Sequence, residues 1–318
     1  MNLHIGIIGA TGIIGYHVAN ALNQMGHKLS LFASAQSQTR ELVLGKKIFS
    51  IQTLTPEAFN SIDIAIFSSS ATISKKWASV AINSDCRVID LSDAFRLKNN
   101  VPLFFSYSDP EDIKNIPIIS CPNCTTSLIS KTIYPLHQQF ELKKLYVSTY
   151  QSVSGAGKRA VLEWEKEFTN PEIKPYIFPE TIANNCIPYI GKTNANGQCQ
   201  EEKSIIKECR KLFNQPKLKI SATCVRISCE RGHGIALTAQ FKNRTTPQLV
   251  INELSKYPDL IHQPKTPRTC KDRPEIYYSR VRKDFLGNNS VSMWIVGDQI
   301  VAGTLPNIIS IVKILSEN

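Results

Sequence analysis

The chain has 318 residues, 42% hydrophobic and 20% charged, with a formal net charge of +11. That length suits about two domains with proper cores, and no apolar run approaches the roughly 20 residues needed to span a bilayer. The basic residues are spread out rather than gathered in runs with aromatics, which argues against a nucleic-acid module and for a solvated surface that also suits anionic small substrates.

Nine cysteines, an odd and scattered set, point to reduced thiols and a cytoplasmic protein. The first nine residues enter a strand pattern with no basic n-region or cleavage site, so no signal peptide is expected. Residues 3–8 read as a strand that runs into Gly9-Ala-Thr-Gly-Ile-Ile-Gly15, and residues 16–25 have helical spacing. A strand, a glycine turn and a helix together make a pyrophosphate site, because the glycines let the backbone close on the anion at the helix N-terminus. A second strand, 28–32, ends at Ala33-Ser34-Ala35-Gln36-Ser37. No acidic residue stands there to hold ribose hydroxyls, and the small polar residues, with Arg40 nearby, leave room for the 2′-phosphate of NADP. An ordinary polar loop is the competing reading.

Further strands are expected at 62–67, 87–91 and 116–119. They are followed by Ser68-Ser69-Ser70, by Ser92-Asp93-Ala94-Phe95-Arg96, and by Ser120-Cys121-Pro122-Asn123-Cys124. This alternation predicts a parallel, doubly wound α/β sheet with its functional loops at the strand C-termini. A helix expected over 128–136 puts Cys124 near its N-terminus, where backbone N–H groups and the helix dipole favour thiolate and can hold an oxyanion. The bland alternative is a buried structural cysteine. Cys121 and Cys124 have CxxC spacing, but no second CxxC completes a zinc site, and no metal is expected.

From residue 145 the texture changes. Residues 145–153 alternate like a strand with one wet face. A turn, Ser154-Gly155-Ala156-Gly157, and a helix, 158–168, follow. Residues 170–191 read as irregular loop, 201–213 as an amphipathic helix, 218–229, 234–242 and 290–296 as strands, and 305–315 as a helix. The expected second domain is α+β on a mostly antiparallel sheet.

Cys124, Gln151, Arg226 and His233 together resemble the active-site set of the aspartate-semialdehyde dehydrogenase family. The resemblance covers nearly the whole chain. It rests on Gly-Ala-Thr-Gly-Ile-Ile-Gly (9–15), Ala-Phe-Arg (94–96), Pro-Asn-Cys-Thr-Thr (122–126), Thr-Tyr-Gln-Ser-Val-Ser-Gly-Ala-Gly (149–157), Asn-Cys-Ile-Pro (185–188) and Arg-Ile-Ser-Cys-Glu-Arg-Gly-His (226–233). It implies a Rossmann-like cofactor domain, 1–123 with 305–318, and a catalytic and dimerisation domain, 124–304, in a homodimer docked through the second sheet. The implied chemistry is attack of the Cys124 thiolate on L-aspartyl 4-phosphate, loss of phosphate, and reduction of the thioester with NADP(H) as the cofactor. His233 is then the acid/base residue and Gln151 the orienting glutamine. Arg226 binds the substrate carboxylate, Glu201 the amine, and Arg96, Asn123 and a lysine, here Lys203, the phosphate. Gly9, Thr11, Gly12, Ile13, Ile14, Ser34, Ser37, Ser154, Gly155 and Asn307 fall at cofactor-binding positions.

Each assignment has a plainer reading. Arg226 could pair with Glu230 on a surface strand, His233 could be a turn residue, Arg96 a cap, Gln151 a sheet donor and Glu201 a helix-terminus charge. The sequence also departs from the family at three places. The lysine expected three residues after Glu201 is Ser204, with Lys203 one position earlier and Lys207 a possible substitute. The usual Ala-Arg-Ser is Ala35-Gln36-Ser37, and the usual Leu-Arg-Lys-Gly is Ile300-Val301-Ala302-Gly303. N-acetyl-glutamyl-phosphate reductase, which usually has Pro-Gly-Cys where this chain has Pro122-Asn123-Cys124, and a catalytically impaired cofactor-binding homologue are the alternative readings.

Overall fold

The structure, a computed structural model, describes residues 2–35, 37, 40–170 and 172–317. Gln36, on which part of the nucleotide preference turns, lies outside the described residues. The chain forms two compact units, residues 1–123 with 304–318, and residues 124–303.

The first unit contains β1 (His4–Ile8), α1 (Ile13–Gln24), β2 (Lys28–Ala33), β3 (Glu41–Leu44), β4 (Lys47–Thr53), β5 (Ile64–Phe67), α2 (Ala71–Asn83), β6 (Arg87–Asp90) and β7 (Ile118–Ser120). The second contains α3 (Cys124–Phe140), β8 (Leu142–Gln151), α4 (Lys158–Thr169), β9 (Cys186–Ile187), α5 (Gln200–Leu212), β10 (Lys219–Ile227), β11 (His233–Phe241), α6 (Pro247–Leu254), β12 (Leu260–His262), β13 (Ile276–Lys283) and β14 (Ser290–Gly297). The C-terminal α7 (Leu305–Ser316) returns to the first unit.

In the first unit the sheet order is β3-β4-β2-β1-β5-β6-β7. Every pair is parallel except β3–β4. Its strands read as nearly continuous apolar runs because both faces are covered. Ile5, Ile7 and Ile66 pack with Val18 and Leu22 of α1 and Ile308 and Ile311 of α7, while Phe32, Phe67 and Val88 pack with Ala78 and Ala81 of α2. β1 lies between β2 and β5, so the order reverses there, and a crevice opens beyond the strand C-termini. The β3–β4 hairpin is an element that the sequence reading left out. It turns at Gly45, whose φ is +62°, the left-handed conformation a tight hairpin favours.

In the second unit the order is β12-β13-β14-β11-β8-β10-β9, with β8–β10 and β12–β13 parallel and the other pairs antiparallel. One face packs on α3, α5 and α6 through Leu128, Ile205, Val250, Leu145, Ile235 and Ile295. The period-2 alternation of β8, with Leu145, Val147, Thr149 and Gln151 inward, follows from that one-sided burial. α3 begins at Cys124 and continues through Pro135 to Phe140, longer at both ends than the spacing predicts. Within 170–191 the structure adds the short β9. α6, β12 and β13 are also additions; β13 is interrupted by a register shift between Ser279 and Arg282, with Arg280 at φ 55°, which breaks its alternation.

One stretch departs from the composition argument. Gln299–Ser316 is long and apolar enough to cross a membrane by length and composition alone, with mean hydropathy 1.4. It is 56% buried within protein, because Ile308, Ile311, Val312 and Leu315 are core residues of the first unit. Its first part, Gln299–Thr304, is a π-helix and contains the divergent Ile300-Val301-Ala302-Gly303.

Candidate active site

The second unit gathers its polar residues by register. Gln151 is paired with Arg226 on β10 on one side and with His233 on β11 on the other. Residues opposite one another in a sheet share a face, so Arg226, Gln151 and His233 form a row across three adjacent strands. All three are buried. Cys124 opens α3, and its Sγ lies 3.8 Å from His233 Nε2. Glu201, in the first turn of α5, accepts hydrogen bonds at Oε1 from Gln151 Nε2 (3.0 Å) and Thr125 Oγ1 (3.4 Å).

Arg226 does not pair with Glu230, and His233 opens β11 rather than sitting in a turn, while Glu201 does lie in the first turn of its helix. Glu230 is bonded to Lys271 Nζ at 2.7 and 2.8 Å, while Arg226 is 5% exposed and donates from Nη1 to the Ser152 carbonyl (2.6 Å). Burial lowers the Arg226 pKa, and the charges of Glu201 and Cys124 oppose that shift. His233 is fully buried. Desolvation, and then the Arg226 charge, push its pKa down to about 3, so the imidazole is neutral near pH 7. Gly155 lets these groups approach, since a Cβ there would sit 2.8 Å from Arg226 Nη1 and 3.4 Å from His233 Nε2. Beside Arg226 a pocket of about 650 Å³, lined also by Ile177, Phe178, Tyr189 and Lys192, is large enough for a small metabolite.

Lys203 is not drawn into this row by any side-chain hydrogen bond or ion pair among the described residues. It is half-buried on α5, as is Ser204, while Lys207 is exposed. Cys199, Glu202 and Cys224 bring possible metal-ligand atoms within 4.8 Å of one another. The Glu202 oxygens, however, accept the backbone N–H groups of Cys199 (2.8 Å) and Cys224 (3.1 Å). With Cys199 as N-cap, this is a capping box on α5.

In the first unit the glycine turn closes tightly. A Cβ on Gly9, whose φ is +91°, would meet the Ser68 carbonyl at 2.5 Å, and one on Gly15 would meet the Gly9 carbonyl at 2.2 Å. Gly12 is the N-cap of α1 and brings no capping side chain, so the first-turn N–H groups of Ile13 and Ile14 suit an anion. The adjoining pocket, about 460 Å³, is lined by Gly9, Thr11, Gly12, Ser34, Lys76 and Trp77 among others. These features fit a dinucleotide. The Ser37 N–H closes a turn onto the Ser34 carbonyl (2.9 Å). Sequence reasoning missed Lys76 and Trp77, where the ammonium lies 5.1 Å from the ring centroid; they are one helix away from the glycine motif and carry no local signature.

Arg96 is buried, and its Nε and Nη2 donate to the carbonyls of Cys121 (3.0 Å) and Leu91 (2.7 Å). That clasp ties together the loops after β6 and β7. Cys121 is a free, fully buried thiol whose pKa burial raises to about 12. Asn123 is half-buried at the end of this unit. Asn307, on α7, is buried and accepts the Ser106 N–H at Oδ1 (3.0 Å).

A family model described as the NAD binding domain of semialdehyde dehydrogenase matches residues 4–116, and one described as the semialdehyde dehydrogenase dimerisation domain matches residues 133–302. An aspartate-semialdehyde dehydrogenase of Campylobacter jejuni is 34% identical over 97% of this chain and 96% of its own length. The chain belongs to the aspartate-semialdehyde dehydrogenase family. The Aquifex aeolicus aspartate-semialdehyde dehydrogenase is 32% identical over 99% of this chain and 98% of its own. The crystal structure of aspartate semialdehyde dehydrogenase II from Vibrio cholerae, complexed with ASA, superposes with a TM-score of 0.94 at 27% identity, covering 100% of this chain and 99% of that one. Membership in the aspartate-semialdehyde dehydrogenase family makes the chain an oxidoreductase of amino-acid biosynthesis with a nucleotide-binding and a dimerisation domain.

Proposed function

We propose that the protein reduces L-aspartyl 4-phosphate to L-aspartate 4-semialdehyde, with NADPH and a thioester on Cys124, as part of the aspartate pathway. The observation that carries this reading is the Cys124 sulfur at the head of α3, 3.8 Å from His233 Nε2, beside the row that Gln151 and Arg226 complete. At a helix N-terminus the thiolate is favoured, and N–H groups of a first helical turn can hold an acyl oxyanion. Arg226 offers its guanidinium to the substrate carboxylate. Glu201 takes the amine, with its carboxylate aimed by Gln151 and Thr125. His233 hydrogen-bonds at the sulfur. Arg96, Asn123 and Lys203 are the phosphate-binding residues of this reading.

Gly9, Thr11, Gly12, Ile13 and Ile14 would hold the pyrophosphate, and Ser34, Ser37 and Lys76 the 2′-phosphate. Ser154, Gly155 and Asn307 would flank the nicotinamide end. Bound, the nicotinamide supplies the hydride. The protein acts in the cytosol as a homodimer, and the reading invokes no metal, nucleic acid or membrane.

The test runs in the oxidative direction. Protein, L-aspartate semialdehyde and NADP or NAD are mixed, and reduced nicotinamide is followed by absorbance as phosphate is raised. Phosphate-dependent turnover, faster with NADP and abolished in Cys124→Ala, is the expected result. Undiminished turnover in Cys124→Ala would rule out the thioester.

A further inference from the structure

His233 and Cys124 stand on separate elements, β11 and α3, and one short segment runs from one to the other. It begins at Gly297, the last residue of β14, which lies opposite His233 in the antiparallel register. It ends at Gly303, where a Cβ would sit 3.2 Å from the Cys124 carbonyl oxygen. At Gly297 a Cβ would meet Leu128 Cδ2 of α3 at 3.1 Å. The two glycines therefore let both ends of the segment lie close against the start of α3.

Between them is Asp298, which is fully buried and to which the segment is tied. Its carbonyl accepts the N–H groups of Ala302 (2.9 Å) and Gly303 (3.1 Å), and the second of these is the wide i→i+5 closure of a π-turn. Its Oδ1 accepts the N–H groups of Ile300 (2.8 Å) and Val301 (3.1 Å). Its Oδ2 accepts the Asp272 N–H (2.7 Å) and lies 2.8 Å from Arg231 Nε. Arg231 is buried too. It stands two residues before His233, and its Nη1 is 3.1 Å from Asp272 Oδ1. Gln299 adds a bond to the residue between, accepting the Gly232 N–H at Oε1 (3.0 Å). A buried carboxylate is costly unless it is paired and bonded this fully, and these partners lie outside the set assigned to substrate and cofactor.

We propose that Asp298 is a positioning residue: with Arg231 and the π-turn it braces the start of β11 against the head of α3 and so sets the distance from Cys124 Sγ to His233 Nε2. Proton exchange between the two needs hydrogen-bond reach, and the separation is 3.8 Å. The inference rests on the reading of Cys124 as nucleophile and His233 as its acid/base partner. Asp298→Asn keeps the shape of the side chain and removes the charge that faces Arg231. It also turns an NH2 donor either toward Arg231 and the Asp272 N–H or toward the N–H groups of the π-turn, so one end of the brace opens.

The first readout needs no turnover. Cys124 is alkylated with iodoacetamide at pH 7 and followed at its own peptide by mass spectrometry. The rate should fall about tenfold in Asp298→Asn and in Arg231→Gln, with circular dichroism unchanged. In the doubly substituted protein the loss should be no greater than in either single variant, because the two groups act as one unit. In turnover, kcat should fall about 10- to 100-fold while KM for L-aspartate semialdehyde changes less than about threefold, since Arg226 and Glu201 are not part of the brace. The solvent deuterium isotope effect on kcat should rise as proton transfer slows. Gly303→Ala, which places a methyl against the Cys124 carbonyl and leaves Asp298 intact, should behave alike, and it serves where Asp298→Asn does not fold. Alkylation at the native rate in the folded variant overturns the brace. So do losses that multiply in the double variant, or a raised KM with kcat unchanged. A native protein that turns over no semialdehyde would instead remove the proposed reaction, and alkylation would still test the brace.

Discussion

Gly155 packs against two groups of the candidate site. Its missing Cβ leaves the space that Arg226 Nη1 and His233 Nε2 use. Gly155→Ala should therefore lower kcat/KM by about 10- to 100-fold through misplacement of those groups, with little change in Tm; steady-state kinetics beside a melting curve checks this. His233 makes a second prediction, on stability. Its pKa is about 3 when folded and about 6.5 when unfolded. Between those values the unfolded chain binds more protons, so the contribution is complete above pH 6.5 and is lost as pH falls toward 3. The slope reaches about 1.4 kcal/mol per pH unit. Urea midpoints measured from pH 4.5 to 7 should show that slope in the native protein and a shallower one in His233→Gln. The types of the site residues were legible in the sequence. The engagement of Arg96 by two backbone carbonyls was not, because it depends on loops that meet only in the folded sheet.

At the scale of elements, α4 organises the segment that reads as irregular. Glu163 is fully buried, and its carboxylate accepts the backbone N–H groups of Tyr176 (2.8 Å), Ile177 (2.6 Å) and Phe178 (3.0 Å). Glu167 does the same for Ile182 (3.0 Å) and Ala183 (2.8 Å). A chain stretch without regular structure still has donors to satisfy, and here two carboxylates on one helix satisfy them. Glu163→Ala should cost about 2–4 kcal/mol by stranding those donors. It should also expose 172–183 to limited proteolysis before the rest of the chain. The same segment lines the pocket beside Arg226 through Ile177 and Phe178, so KM for the semialdehyde should rise in this variant as well. The helical period of α4 was readable from sequence, but the destination of its glutamates was not. A charged residue on an amphipathic helix reads as solvent-facing until a loop covers it.

For the whole molecule, the outer face of the second sheet is the feature left to explain. Tyr146 and Tyr150 on β8 are 36% and 37% exposed. The Tyr150 ring lies 5.7 Å from Trp294 on β14, across Gly234, where a Cβ would meet the indole at 2.3 Å. Tyr146 and Trp294, with Ser148, Thr223, Thr238, Arg280 and Arg282, border a shallow cavity of about 360 Å³. Aromatic and arginine side chains on an otherwise small-residue sheet suit an isologous interface, consistent with a domain of the dimerisation type. The protein should sediment at about twice its 35.6 kDa chain mass. Tyr146→Glu combined with Ser148→Glu should shift it toward monomer by placing like charges against each other, as analytical ultracentrifugation would show.

The sequence by itself determined what is local in this protein. The glycine turn between β1 and α1, the cysteine at the start of α3, the one-sided alternation of β8 and the apolar runs of the parallel strands are set by near neighbours in the chain. Backbone freedom, dipole position and burial period act over a few residues. Only the tertiary structure decided what depends on distant segments coming together. The row of Arg226, Gln151 and His233 exists because β10 and β11 pair with β8 in one particular register. Likewise, the contacts of Asp298 with Arg231 and Asp272 join residues whose sequence positions carry no mark of their partners. β13 escaped the sequence because its bulge breaks the period, and Lys76 because only the folded sheet brings its helix to the pocket that the glycine turn also lines. Register and cross-sheet packing are fixed by burial of the whole set of strands at once, and no window along the chain contains that information.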